Sequence, residues 1–413
     1  MRVETRSRDA RLARISFQAA CFCAGFLLIF ENGLYAFAVG LLIASVLQWR
    51  ADRGAGTPTP VPLRAVLGLA VLVIAWASLS AFSHDKPLRV LDNLFRLLLM
   101  PWCAWLAWRT GESRRGLWAG ALVGISIAFC IASWQMEAGS LRAGGNRNPL
   151  VFANLILVLL AIALTTGRVA SLRSAKVVAV IFTLLAGAAI AFSGSRGSLL
   201  AWALLATTAL VFRGDPLHRR RRIVLGGVAA ALVVGLIAMS PALQAPLRLD
   251  KVSSDLARFA AGDADSPIGA RLQFLQLAWQ SFVAHPWQGV GIEEFGQVVQ
   301  QWSGCQARPA MGMCALEHAH NDLAEWAATL GLPGALALLA IYGVPLALFV
   351  GIIRRADPRS PNLAAWGGVA VIAVYLWCGL TQSMFAHAAT ATAYALFTGV
   401  LLGIALHDAE PAA

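Results

Sequence analysis

Apolar residues follow one another in long runs along almost the whole chain. Twelve runs can be distinguished, and most approach the roughly 20 apolar residues that a membrane-spanning helix needs. They fall near residues 15–30, 33–49, 65–82, 90–108, 117–135, 149–166, 177–193, 198–212, 223–240, 334–353, 363–382 and 388–406. A short break at Glu31-Asn32-Gly33 separates the first two runs. The pattern predicts an all-α polytopic membrane protein with about 12 transmembrane helices.

The composition agrees with this interpretation. Of the 413 residues, 58% are hydrophobic and 13% are charged, whereas about a quarter of the residues of a soluble domain are charged. A soluble enzyme, a disordered scaffold and a domain with a single membrane anchor are therefore excluded.

The formal net charge of +12 is explained by membrane topology, and we expect no nucleic-acid partner. Most of the 33 basic residues lie in alternate connections between the apolar runs, around residues 2–14, 50–64, 109–115, 168–176, 213–222 and 354–359. Basic residues concentrate in cytoplasmic loops. The sequence thus predicts that these connections and both termini are cytoplasmic.

One long polar stretch, residues 241–322, interrupts the runs on the opposite, outward side. We therefore divide the chain into nine transmembrane helices over 1–240, a large outward loop over 241–322 and three further transmembrane helices over 323–413. Within the loop, residues 269–283 have apolar positions at helical spacing, which predicts an amphipathic helix on the bilayer surface or capping the bundle. Residues 284–296 are rich in Pro and Gly and predict an irregular segment.

The loop offers little support for a metal or a cofactor. Asp263-Ala264-Asp265 has the spacing of a metal-nucleotide motif in some glycosyltransferases, but acidic loops commonly contain it. His318 and His320 are too close in sequence for a helical zinc pair, and the chain has no phosphate-binding loop and no dinucleotide fingerprint. We expect neither metal nor cofactor. Whether Cys305 and Cys314 form a disulfide is left open by the sequence.

Several cations stand in outward connections, against the usual distribution of charge. A single such residue can snorkel to the interface or cap a helix, but a group of five or more on one side of the membrane favours an anion site. The residues that we assign to this group are Lys86, Arg89, Arg142, Arg147, Arg196 and Arg271.

The densest polar cluster of the chain is Glu317-His318-Ala319-His320-Asn321-Asp322, before the tenth apolar run. A histidine with a pKa near neutrality can act as a general base. Nearby arginines would keep its ring neutral, because they repel the imidazolium form. His318 and His320 are both candidates for this role. The alternative is that both side chains only cap a helix.

Two elements of this region resemble a known family. His320-Asn321, nine residues and then Gly331-x-x-Gly334 resemble the H-[N/S]-x9-G-x-x-G signature of the O-antigen ligase family. Arg271-Leu-Gln-Phe-Leu275 resembles the R-x3-L element that this family carries in the same large loop. The outward Gly-Ser-Arg-Gly turn at Arg196 and the order of the spans also match.

The resemblance implies an inverting, metal-independent glycosyltransferase of the GT-C type in the bacterial inner membrane. It would move a polysaccharide from undecaprenyl diphosphate to the lipid A-core oligosaccharide at the periplasmic face. Carried over to this sequence, His320 deprotonates the acceptor hydroxyl, while Arg271 and Arg196 stabilise the diphosphate. Position alone adds Lys86, Arg89, Arg142, Arg147, Asn321 and His318 as residues that bind the diphosphate or the glycan.

Three other functions remain open. O-antigen polymerases and protein O-oligosaccharyltransferases belong to the same superfamily and use the same donor. A flippase or secondary transporter is the alternative from a different class, since transporters place ionisable residues near the bilayer midplane. Asp92 and Arg96 form the main charged pair inside an apolar run, and they could simply bridge each other. The other charges cluster at the outward ends, which favours an enzyme.

Overall fold

The computed structural model describes residues 2–30, 33–53, 58–111, 114–167, 172–212, 251–357 and 360–410. All regular elements in these ranges are helices. The ninth apolar run, 223–240, lies outside the described residues, as do the arginines at 213 and 219–222.

Among the described residues, eight helices lie before residue 213. They are α1 (Arg2–Leu27), α2 (Leu34–Asp52), α3 (Val61–Ser83), α4 (Leu88–Thr110), α5 (Arg114–Glu137), α6 (Pro149–Thr166), α7 (Leu172–Phe192) and α8 (Arg196–Phe212). α4 starts with short 3₁₀ and α turns and becomes a regular helix at Leu99. The predicted break between the first two runs is confirmed, because α1 and α2 are separate helices that pack side by side.

Seven of the described helices are long and apolar enough to cross a membrane, namely α2 to α6 and two helices of the C-terminal part, α13 (Asp322–Arg355) and α15 (Ala388–Ala409). The segment Lys176–Phe192 of α7 and the helix α14 (Leu363–Gly379) are apolar but shorter. The chain is therefore a multi-pass helical membrane protein. Twelve spans and the GT-C architecture stay predictions.

Helices α6 and α15 form the centre of the bundle. Almost every residue of both is buried, as is typical of a helix that is apolar on all sides. α15 packs closely on α4, because Gly399 and Gly403 lie directly against the backbone carbonyls of Met100 and Ala104. This small-xxx-small spacing lets two membrane helices approach at backbone distance.

Charged helix ends meet on one face of the bundle. Arg109, near the end of α4, donates a 2.8 Å hydrogen bond from Nε to Asp52 at the end of α2. Arg114, at the start of α5, pairs with Asp408 near the end of α15. The other face carries the long loop and is called the loop face below.

The bridge between Asp92 and Arg96 that the sequence left possible does not form among the described residues. Arg96 instead donates from Nη1 to the hydroxyl of Thr392 in α15, at 3.1 Å, and no ion pair joins it to Asp92 in the part of the chain that the structure describes. The short turns at the start of α4 direct the guanidinium toward α15 rather than along its own helix.

The described part of the long loop folds around a small core of its own. It contains α9 (Lys251–Ala260), α10 (Pro267–Ala284), α11 (Phe295–Gln301) and α12 (Ser303–Ala307), and α10 confirms the helix predicted over 269–283. Phe274 and Phe295 meet edge to face at the centre of this core. Cys305 and Cys314 form a disulfide with 5.6 Å between their Cα atoms, which answers the question that the sequence left open.

Helix α13 is longer than a membrane crossing and is broken at Gly331. Its 34 residues correspond to about 51 Å at 1.5 Å per residue, against a hydrocarbon thickness of about 30 Å. Gly331 adopts φ 68° and ψ −162°, a combination that is essentially restricted to glycine. The turns before Gly331 therefore stand above the predicted tenth span, 334–353, and face the loop.

The loop supplies the hydrogen bonds that the break removes from α13. The N–H groups of Val290 and Gly291 donate to the carbonyls of Ala328 and Thr329 at 2.8 and 3.0 Å, and Leu332 N–H donates to Pro286 O at 2.7 Å. Backbone groups buried in a protein must find such partners. The break at Gly331 and the irregular segment 284–296 thus stabilise each other through these hydrogen bonds.

We expect Gly331→Ala to destabilise the protein. A Cβ at this position would lie 2.6 Å from the carbonyl carbon of Trp287, and the backbone conformation alone costs an L residue about 1–3 kcal/mol. Thermal unfolding in detergent should show a clearly lower midpoint. Gly343→Ala in the same helix is the control, because its Cβ would meet no atom within 4 Å. Equal midpoints for the two variants would contradict this account of the break.

Candidate active site on the loop face

His320 lies at the junction between the loop and α13. Its backbone has φ 52°, in the left-handed region that few non-glycine residues adopt. The imidazole is half-buried and stacks on Phe274 of α10, with ring centroids 5.9 Å apart and planes at 28°. The next residue, Asn321, caps α13 by accepting a 2.9 Å hydrogen bond from Ala324 N–H. The turn before α13 therefore presents the ring to the loop.

A buried amide holds the His320 ring in one orientation. Nδ1 of His320 lies 2.8 Å from Oε1 of Gln382, and the Nε2 amide of Gln382 donates to Nε2 of His387. An amide oxygen only accepts, so Nδ1 of His320 carries the proton and its Nε2 keeps the lone pair. Gln382 and His387 stand in the connection between α14 and α15.

Both histidines of this bridge are held neutral. Burial and the charges of Arg271 and His318 lower the pKa of His320, against the opposing effect of its hydrogen bond to Gln382. Burial, together with the charges of His318 and His320, lowers the pKa of His387 to about 4. A neutral His320 can accept a proton at neutral pH.

The pKa of His318 is shifted in the opposite direction. Burial lowers the pKa of its ring, but the hydrogen bond and charge of Glu325, with Glu317 and Glu293, outweigh burial and raise the pKa. Nδ1 of His318 lies 3.2 Å from Glu325 Oε1, and the same carboxylate accepts from Ala319 N–H at 2.5 Å. His318 thus anchors the turn to α13, and its ring favours the charged form.

Three of the predicted arginines form a group, in which Arg271 lies near His320 and Arg196 and Arg142 lie near Arg271. Burial, followed by the charges of Arg196 and Arg142, lowers the pKa of Arg271. Arg196 is the first residue of α8, and Arg142 donates from Nε to the carbonyl of Ser193 at 2.8 Å in the preceding turn. In the described ranges no carboxylate lies within ion-pair distance of Arg271. The result is a concentration of positive charge.

The other predicted residues occupy different surroundings. Lys86 forms an ion pair with Glu294, and the charge of Arg89 acts on Glu293. Arg147 donates to the carbonyl of Phe30 in the turn that follows α1. Asn321 donates from Nδ2 to Leu380 O at 3.2 Å in addition to its capping bond. Their roles in binding substrate stay predictions.

Sequence reasoning missed Gln382, His387 and Phe274. Gln382 is the last residue of the eleventh predicted span, 363–382, and His387 lies in the connection after it. The alternation of spans puts this end of the span on the same side as His320. Their position on the same side of the membrane as His320 was the one available signal, since two isolated polar residues have no characteristic spacing. Phe274 looked like an ordinary apolar position of the amphipathic helix, and only the folded loop brings it against the imidazole.

The arrangement combines a neutral proton acceptor with a group of guanidiniums. Such a site can remove a proton from a hydroxyl and stabilise an anionic leaving group. Among the described residues, no group of three His, Cys, Asp or Glu side chains is arranged to hold a metal ion.

Comparison with known proteins agrees with this arrangement. A family model described as O-Antigen ligase matches residues 181–339, a region that contains Arg196, Arg271, His318 and His320. No curated protein sequence matches the chain. The match confirms, over residues 181–339, the resemblance to the O-antigen ligase family that the sequence shows.

Proposed function

We propose that this protein is an inverting, metal-independent glycosyltransferase that acts as an O-antigen ligase. It transfers a polysaccharide from undecaprenyl diphosphate to a hydroxyl of the lipid A-core oligosaccharide. The site faces the periplasm from the bacterial inner membrane, with both termini in the cytoplasm. An active site with no nucleotide supply needs a donor that is already activated, and a polyprenyl diphosphate glycan meets this requirement.

One observation carries the proposal, namely the position of His320 between Gln382 and Arg271. Gln382 binds Nδ1–H of His320 and leaves Nε2 as the proton acceptor. The charge of Arg271 reaches the same ring and, with those of Arg196 and Arg142, forms the cationic group. Acid–base chemistry and anion stabilisation therefore stand side by side, as glycan transfer from a diphosphate requires.

The reaction follows from these positions. Nε2 of His320 takes the proton of the acceptor hydroxyl, and the hydroxyl oxygen attacks the anomeric carbon of the donor glycan. The bond from that carbon to the diphosphate oxygen breaks on the opposite side, which inverts the anomeric configuration. Negative charge moves onto the departing diphosphate, and the guanidiniums of Arg271 and Arg196 stabilise it through paired hydrogen bonds.

Removal of the base tests the proposal directly. We expect His320→Ala to lower glycan transfer by about 10²–10⁴-fold, the usual contribution of a general base, while the protein stays folded. His285→Ala is the matched control, because His285 is an exposed histidine in the same loop. The assay uses reconstituted protein with purified lipid-linked donor and a lipid A-core acceptor.

The same assay distinguishes the related functions. A chelator should leave the rate unchanged. Transfer to a second donor molecule instead of the lipid A-core would identify a polymerase, and transfer to a protein an oligosaccharyltransferase. Movement of the donor across the bilayer without transfer would identify a transporter. Undiminished transfer by His320→Ala would overturn the assignment of the base.

Arg271 should not tolerate lysine. A lysine ammonium keeps the charge but lacks the planar pair of donors that binds a phosphate through two parallel hydrogen bonds. We expect Arg271→Lys to lower kcat/KM for the donor by at least about tenfold, the loss of one or two charge-assisted hydrogen bonds. Arg258→Lys, at an exposed arginine of α9 that pairs with Asp263, is the control. A normal rate for Arg271→Lys would exclude paired contact with the diphosphate.

The pH dependence of kcat/KM distinguishes the effect of the Arg271 charge on His320 from the effect of the paired hydrogen bonds that Arg271 makes. His320 acts in its neutral form, so kcat/KM should fall at acid pH with a midpoint below the ordinary histidine pKa of about 6.5. Arg271→Gln removes a charge that lowers the pKa of His320, so the acidic limb should move to higher pH. Arg271→Lys keeps the charge and should leave the limb in place. Identical limbs in both variants would show that the titrating group is not His320.

A further inference from the structure

A polar cavity lies beside His387, at one end of the Gln382 bridge. It has a volume of about 610 Å³ and is enclosed by the starts of α2, α4, α6 and α15. Arg96 and Arg147 line it, and so does His387. None of the lining residues in the described part of the chain is acidic.

Arg96 is an unusual residue for this position. It belongs to α4, one of the helices apolar and long enough to span the membrane, and its Nε is buried without a hydrogen-bond partner among the described residues. Its remaining polar contact is the bond from Nη1 to Thr392. An ionisable side chain in a membrane helix is costly and generally serves a ligand or a pathway. Its place on the cavity wall indicates a ligand with negative charge.

The rest of the wall suits a sugar that carries this charge. The amide side chains of Asn93, Asn146 and Asn148 line the cavity and can bond to hydroxyl groups. Tyr35, which is 72% exposed, adds an aromatic ring. Guanidiniums beside amides and an aromatic ring therefore favour a phosphorylated saccharide over a simple ion.

The cavity is joined to the candidate active site through one side chain. His387 lines the cavity and accepts the hydrogen bond of Gln382, whose oxygen holds His320. The cationic group of Arg271, Arg196 and Arg142 stands at the other end of this bridge. The two cationic regions thus lie at opposite ends of the bridge, and we assign the second region to the second substrate.

We propose that this cavity binds a phosphate group on a sugar of the acceptor glycolipid, beside the sugar whose hydroxyl reaches His320. The proposal rests on the proposed function for the identity of the acceptor. Arg96 and Arg147 bind the phosphate, and the asparagines contact the sugar. The neutral ring of His387 and the amide of Gln382 separate this phosphate from the donor diphosphate.

Binding without transfer tests the proposal. Full-length protein in phosphatidylcholine nanodiscs is titrated, in the absence of donor, with lipid A-core acceptor and with the same acceptor after removal of its phosphates. We expect the phosphorylated form to bind at least about tenfold more tightly, the effect of one or two charge-assisted hydrogen bonds. Arg96→Gln and Arg147→Gln, which lie in different parts of the chain, should each remove this preference.

Two controls keep the result specific. Arg64→Gln, at an exposed arginine in the first turn of α3, and Arg258→Gln, at the exposed arginine of α9 that pairs with Asp263, should both bind like the unaltered protein. If transfer failed in every protein while the phosphate-dependent binding persisted, the proposed function would be lost and the cavity proposal would stand.

Several outcomes would overturn the cavity proposal. They are equal binding of both acceptor forms by the unaltered protein, and loss of affinity for both forms in the two variants. Competition by phosphatidylglycerol or inorganic phosphate at the level of the acceptor would indicate a general anion site. A weaker affinity of Arg96→Gln for the lipid-linked donor, with the acceptor unaffected, would assign the cavity to the donor.

Discussion

The backbone hydrogen bonds at the break in α13 hold the membrane bundle and the loop together. At Gly331 the helix gives up its own pairing, and the segment around Val290 and Gly291 replaces it. This segment follows directly on α10, so the same bonds fix α10 above the first turns of α13. Phe274 then meets His320, and Arg271 comes near enough for its charge to lower the pKa of that ring. Both the fold and the arrangement of the candidate site therefore require glycine at position 331.

The candidate site contains two hydrogen-bonded groups of side chains that differ in charge. His318 and Glu325 form a hydrogen-bonded pair in which the imidazole favours the charged form, while His320 and His387 share the uncharged Gln382 and stay neutral. Two histidines that are neighbours in sequence thus receive opposite protonation preferences from their partners. Both stand in the same polar cluster, so in the sequence only the spacing to Gly331 favours His320 over His318.

The positions of the helices along the chain could be predicted, whereas the contacts between their side chains could not. The length of the apolar runs locates the helices, because each span must satisfy its backbone within the membrane. Spacing from His320 to Gly331 identifies the turn before α13. Nothing in the sequence indicates that Glu294 pairs with Lys86, or that Arg96 turns away from Asp92 toward Thr392. Such pairings depend on how helices distant in sequence rotate against each other, and that rotation is set by packing.

The bridge through Gln382 crosses the end of the region that the family model describes. Arg196, Arg271 and His320 fall within residues 181–339, whereas Arg96, Arg147, Gln382 and His387 fall outside it. Gln382 thus holds the ring of His320 from outside the matched region. A substitution in the connection between α14 and α15 can therefore change the orientation of His320 without altering any residue of 181–339.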